Sequence, residues 1–130
     1  MNFEDYQAFT DETSIYPGQG TGHPVAMLYA VLGLGDEAGE VMGKTKKALR
    51  GDLEVDMGDF SADPTSAFTR RLKAIRGSDM LKAELGDVLF YACRVARENG
   101  WTMGEVLDFN VAKLRKRKED GKLKGSGDNR

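Results

Sequence analysis

The side chains whose types and spacing suit chemistry are acidic, and they come twice. Glu37-Ala38-Gly39-Glu40-Val41 and Glu84-Leu85-Gly86-Asp87-Val88 both read Glu-x-Gly-acid-Val. At about 100° per residue, each acidic pair falls on one flank of a helix's apolar stripe, so two such helices packed side by side bring four carboxylates to one edge of their groove. Like charges at i and i+3 repel, and a cluster beside a core is costly unless a cation neutralises it. Oxygen donors without histidine fit a hard ion, Mg²⁺ with Mn²⁺ as a substitute, whose remaining positions go to water or substrate phosphate. Gly39 and Gly86 each cost a helix about 1 kcal/mol relative to Ala, so their presence inside both pairs argues for close approach of another backbone or room for a ligand. Gly35, Gly39 and Gly43 repeat the point at four-residue spacing. A single Glu-x-x-Glu is ordinarily a solvated face, and Glu40 with Lys44 fits an i,i+4 ion pair worth about 0.3–0.5 kcal/mol. The repetition, with matching glycines and matching angles, sets the two pairs apart.

Basic residues complement them. Asn110, Lys113 and Arg117 lie on one helical stripe beside Leu107, Val111 and Leu114, an arrangement suited to phosphate oxygens and equally to a solubilising last turn on the helix dipole. Tyr91 follows Asp87 by four residues, one turn along the same flank, and Lys44 and Lys47 occupy the corresponding flank of the earlier helix. His23, a lone imidazole before a proline, reads as structural, Trp101 as a cover for the bundle's end, and Cys93 as an inert thiol.

These residues must be positioned by helices. Phe3, Tyr6 and Phe9/Thr10 give a short first helix over 2–12, followed by an irregular loop rich in Gly and Pro from Thr13 to Pro24. Pro24 suits the first turn of a long helix to Arg50 with the stripe Met27, Val31, Leu34, Ala38, Val41, Thr45 and Leu49. Residues 51–77 form an acidic loop or insertion with five acids between Gly51 and Pro64 and a short helix from Ser66 to Arg76. Ser78 caps a helix with the stripe Leu81, Leu85, Val88, Ala92 and Val95, stopped at Asn99-Gly100. Thr102-x-x-Glu105 is a capping box opening the last helix. The expected fold is all-α: one domain over 1–120 with a four-helix bundle core, and a flexible tail over 121–130.

Composition narrows the function. The 130 residues carry 19 Lys+Arg against 21 Asp+Glu, one Cys and one His. One Cys makes no internal bridge, one His removes most zinc and haem chemistry, and a net charge of −2 argues against a nucleic-acid binder. No apolar run approaches the length of a membrane span and no leader-like segment opens the chain, so the expected location is cytoplasmic.

The pattern Glu37-x-x-Glu40, Glu84-x-x-Asp87 and Asn110-x-x-Lys113 resembles the MazG-like branch of the all-α nucleoside triphosphate pyrophosphohydrolases. Residues 84–91, 110–114 and 125–130 resemble its compact phage and bacterial members closely, and the resemblance spans about residues 25–50 and 78–130. It implies a homodimer or homotetramer that hydrolyses a (deoxy)nucleoside triphosphate between the α and β phosphates, in the host cytoplasm if phage-encoded. Carried over, Glu37, Glu40, Glu84 and Asp87 hold Mg²⁺, while Tyr91, Asn110, Lys113, Arg117 and Lys44 contact the substrate, with Lys122 or Lys124 of the tail assisting. By the same analogy the base pocket involves the first helix and following loop. Asp11 or Glu12 would then accept from guanine N1–H and N2–H, an expectation of dGTP/GTP. Two alternatives stand beside this reading: a phosphoribosyl-ATP pyrophosphohydrolase, and a non-catalytic helical oligomerisation or antitoxin-like module. Residues 51–77 depart from shorter members in length and acidity.

Overall fold

The computed structural model describes residues 1–52, 69, 71–73 and 75–123. Of the acidic stretch expected from Gly51 to Pro64, all but Gly51 and Asp52 lies outside the described residues, as does the tail from 124. Among the described residues the chain is all-α, without strands: α1 (Phe3–Thr13), α2 (Pro24–Arg50), α3 (Asp79–Glu98) and α4 (Met103–Glu119). Residues 69, 71–73 and 75 are also helical, within the short helix expected there.

Local chemistry sets each boundary. Asn2 Oδ1 accepts from the Asp5 amide to start α1. Pro24 occupies the first turn of α2, and His23 Nδ1 accepts from the Val25 amide, which gives the lone histidine its structural duty. Gly51, at φ 89°, ends α2 in the left-handed conformation and returns its N–H to the Lys47 and Ala48 carbonyls. Ser78 Oγ caps α3, and the reciprocal Thr102–Glu105 box caps α4.

Helix α2 packs chiefly against α3, and α1 bridges α3 and α4. Small residues let the first pair approach closely: Ala26, Ala30 and Ala48 are the buried positions of α2. The stripe expected to face the core departs only at its start, where Met27 and Val31 are exposed together with Leu28 and Leu32, while Leu34, Ala38, Val41, Thr45 and Leu49 are half-buried. Over the first half of α2 it is the small Ala26 and Ala30, and not the larger apolar side chains, that are buried. Leu85 on α3 is likewise exposed, as are Val106, Leu107, Phe109, Val111 and Leu114 on α4, with Phe109 at 76%. Among the described residues these apolar side chains of α2, α3 and α4 are thus left exposed. Trp101, expected to cover the bundle's end, is itself half exposed.

The far end of α3 is locked by charge. Arg94 is fully buried and donates to Tyr16 Oη (2.8 Å), Glu98 Oε1 (3.1 Å), Thr10 Oγ1 (3.4 Å) and Asp11 Oδ1. Glu98, 1% exposed in its side chain, also accepts from Tyr16 Oη and the Gly20 amide. Burial and the Glu98 hydrogen bond push the Tyr16 hydroxyl up to about 12. Gln7 adds a neutral clasp, donating to the Trp101 carbonyl and accepting from the Met103 amide. These bonds tie α1 and the 14–23 loop to the α3–α4 corner.

Candidate metal centre and nucleotide site

The two helices that carry the repeated motifs run antiparallel, because Gly33 meets Tyr91 while Lys44, farther along α2, meets Glu84. Glu37, on the same face as Ala26, Ala30 and Gly33, thus points at α3. There Glu37, Glu84 and Asp87 bring carboxylate oxygens within 4.8 Å of one another. Desolvation, followed by the charges of Asp87, Glu40, Asp36 and Glu84, raises the Glu37 pKa. Three convergent carboxylates without an imidazole or thiolate form a donor set for a hard divalent ion, and the raised Glu37 pKa marks the uncompensated charge such an ion relieves.

Glu40 stands apart from this triad. It lines an open groove of about 340 Å³ along α2 with Gly35, Asp36, Gly39, Gly43, Lys44 and Lys47. The glycines there leave space: a Cβ at Gly35, Gly39, Gly43 or Gly86 would meet nothing within 4 Å. Of the two explanations offered by their spacing, room and close backbone approach, the structure shows room. Close approach occurs instead at Gly33, where a Cβ would lie 2.2 Å from the Tyr91 ring. Only a glycine permits that ring to sit this close to α2. The sequence carried no signal for it beyond one more glycine in a helix.

Of the expected substrate contacts, Tyr91 sits beside the triad, its pKa raised by burial and then by Tyr29, Glu37 and Asp36. Lys44 Nζ is 3.3 Å from Glu84 Oε1, so it reaches across to α3 rather than pairing with Glu40 along its own helix. Tyr6 of α1 donates to the Gly86 carbonyl (3.4 Å), steadying the turn between Glu84 and Asp87. Asn110 and Lys113 are exposed on α4, and among the described residues no hydrogen bond or ion pair joins either to the triad. Arg117, on the same helix, is buried rather than displayed. Lys122 is exposed, with its amide bonded to the Arg117 carbonyl. Asp11, a candidate base reader, is engaged by Arg94 and, through Oδ2, by Arg97 at 3.0 Å, whereas Glu12 is exposed.

The chain's sequence matches the profile of the MazG nucleotide pyrophosphohydrolase domain over residues 27–121. It is also similar to the Gene 37 protein of Mycobacterium phage L5, 36% identical over 131 residues that cover the whole of both chains. No solved structure matches it. No described helix is long and apolar enough to cross a membrane.

Proposed function

The chain belongs to the MazG nucleotide pyrophosphohydrolase family, whose members are nucleoside triphosphate hydrolases that generally depend on a divalent metal, and from that premise we propose a Mg²⁺-dependent enzyme that splits (deoxy)nucleoside triphosphates into monophosphate and pyrophosphate. The observation that carries the proposal is the Glu37–Glu84–Asp87 triad, drawn from two helices far apart in sequence. These three residues would hold the ion, with Mn²⁺ as a substitute, and exposed Glu40 would join them through a rotamer change that costs an unpacked side chain little. When bound, the ion supplies Lewis acidity and positive charge at the triphosphate.

The chain's own groups do the rest. One of the glutamates would accept the proton released as water attacks the α-phosphorus in line; the new P–O bond forms while the α–β anhydride breaks and its electron pair leaves with pyrophosphate. Lys44 is close enough to be handed from Glu84 to a phosphate oxygen once the triad's charge is compensated. Asn110, Lys113 and Arg117 lie on α4, whose apolar residues are exposed, and we assign their contribution to a homodimer or homotetramer in which copies cover α4. The expected guanine preference rests on Glu12, since Asp11 is taken up by arginines. A phage-encoded enzyme of this kind would act in the host cytoplasm.

The test is a pyrophosphate-release screen over the eight common nucleotides, dUTP and phosphoribosyl-ATP, with and without Mg²⁺. Glu84→Ala and Asp87→Ala should abolish turnover while helical circular dichroism persists. Turnover without a divalent ion, or substantial activity in either variant, refutes the assignment.

A further inference from the structure

An aromatic file leads away from the acidic triad along one face of α2. Tyr29, Gly33 and Glu37 stand at i, i+4 and i+8, so Tyr29 lies about 12 Å of helical rise from the triad's glutamate. Tyr91 bridges the interval, its ring set against Gly33. Behind Tyr29 stands Tyr16, stacked nearly parallel with ring centroids 5.0 Å apart and planes at 13°. Tyr16 is itself buried and pinned by Glu98 and Arg94, whose guanidinium lies 5.5 Å from its ring centroid. Tyr29 is thus an aromatic ring backed by a rigid support and still 44% exposed.

We propose that Tyr29 is the stacking platform for the nucleobase of a substrate whose triphosphate is held at Glu37, Glu84 and Asp87. The inference rests on the pyrophosphohydrolase reading and adds to it the residue that binds the end of the substrate remote from the chemistry. Every base offers a π-face, so an immobilised ring gains stacking energy with little ordering cost and without selecting one base over another. Discrimination among bases is then left to polar groups at the base edge.

The test compares a nucleotide with inorganic tripolyphosphate, which carries the phosphate chain and no base. In the full-length protein with Mg²⁺, Tyr29→Ala should raise KM for the deoxynucleoside triphosphate by about 5- to 100-fold, the range expected for losing one base–aromatic stack. The inhibition constant of tripolyphosphate should stay within about twofold of wild type, because no stack is lost. Tyr29→Phe should bind the nucleotide nearly as wild type does, and light scattering should find the assembly of both variants unaltered. Equal losses for nucleotide and tripolyphosphate, no loss for either, or a changed assembly in Tyr29→Ala overturns the platform. If the wild-type protein neither turns over any nucleotide nor is bound by tripolyphosphate, the pyrophosphohydrolase reading falls first and takes the platform with it.

Discussion

Replacing Glu37 with Gln should make the metal-free protein more stable and the metal-loaded protein less so. The triad's oxygens lie within 4.8 Å of one another. Two unit charges at that separation repel by about 0.9 kcal/mol in water-like surroundings and by roughly 3.5 kcal/mol at an effective dielectric constant near 20. Glu37 is only half-buried, which favours the lower figure, and the Lys44 ammonium at 3.3 Å already offsets part of Glu84's charge. Summed over two neighbours, neutralising Glu37 should stabilise the metal-free chain by about 1 kcal/mol, or about 3–4 °C in Tm for a domain of this size. Acidification should have the same sign: a carboxyl whose pKa is raised on folding holds more protons folded than unfolded, so its stabilising contribution is complete below 4.5 and lost as pH rises through the folded value. Glu37→Gln should lack that part of the pH dependence. Magnesium should reverse the order, because wild type gains about 2.7 kcal/mol at a hundredfold excess over its Kd while the variant, with one ligand lost, gains far less. Differential scanning fluorimetry with EDTA and with Mg²⁺, at two pH values, reads all of this. A variant less stable than wild type in EDTA, or one with an undiminished magnesium shift, refutes the assignment of Glu37 to a metal-binding triad.

Lys44→Met removes the ammonium that shares Glu84 with an incoming ion, so Mn²⁺ titration by electron paramagnetic resonance should show about two- to fivefold tighter binding; unchanged or weaker binding counts against the competition. Gly33→Ala places a methyl in the Tyr91 ring and should cost about 1–3 kcal/mol in urea unfolding, and Tyr91→Ala in the same chain should recover most of it. Arg94→Met leaves the buried Glu98 carboxylate without its cation and should lose about 3–5 kcal/mol; a loss under about 1 kcal/mol would show the network to be ornamental.

Helix boundaries were legible because caps are local chemistry: Asn99-Gly100, Pro24, Ser78 and the Thr102–Glu105 box act within a few residues of themselves. The repeated acidic pairs were legible from type and spacing, but of the four carboxylates expected to converge Glu37, Glu84 and Asp87 do and Glu40 stands apart. Which side chains the first half of α2 buries was not legible from hydrophobicity, since Met27 and Val31 are more apolar than Ala26 and Ala30 yet lie outside. That choice is a property of the packed pair rather than of either segment. The same limit hid Gly33, whose purpose exists only with Tyr91 laid upon it, and the Arg94 network, whose members stand up to 84 residues apart. Lys44 shows the limit at the site itself: sequence spacing paired it with Glu40, and the packed helices gave it to Glu84.

The matched span opens at residue 27, after the whole of α1 and the loop that follows it. Trimming recombinant protein to that span would delete Thr10, Asp11 and Tyr16, open the buried Arg94 guanidinium to water and leave Glu98 as its one remaining side-chain partner among the described residues. The first 26 residues are thus an integral brace for the α3–α4 corner, and a swap of this N-terminal piece between relatives should succeed only where the recipient supplies a matching arginine.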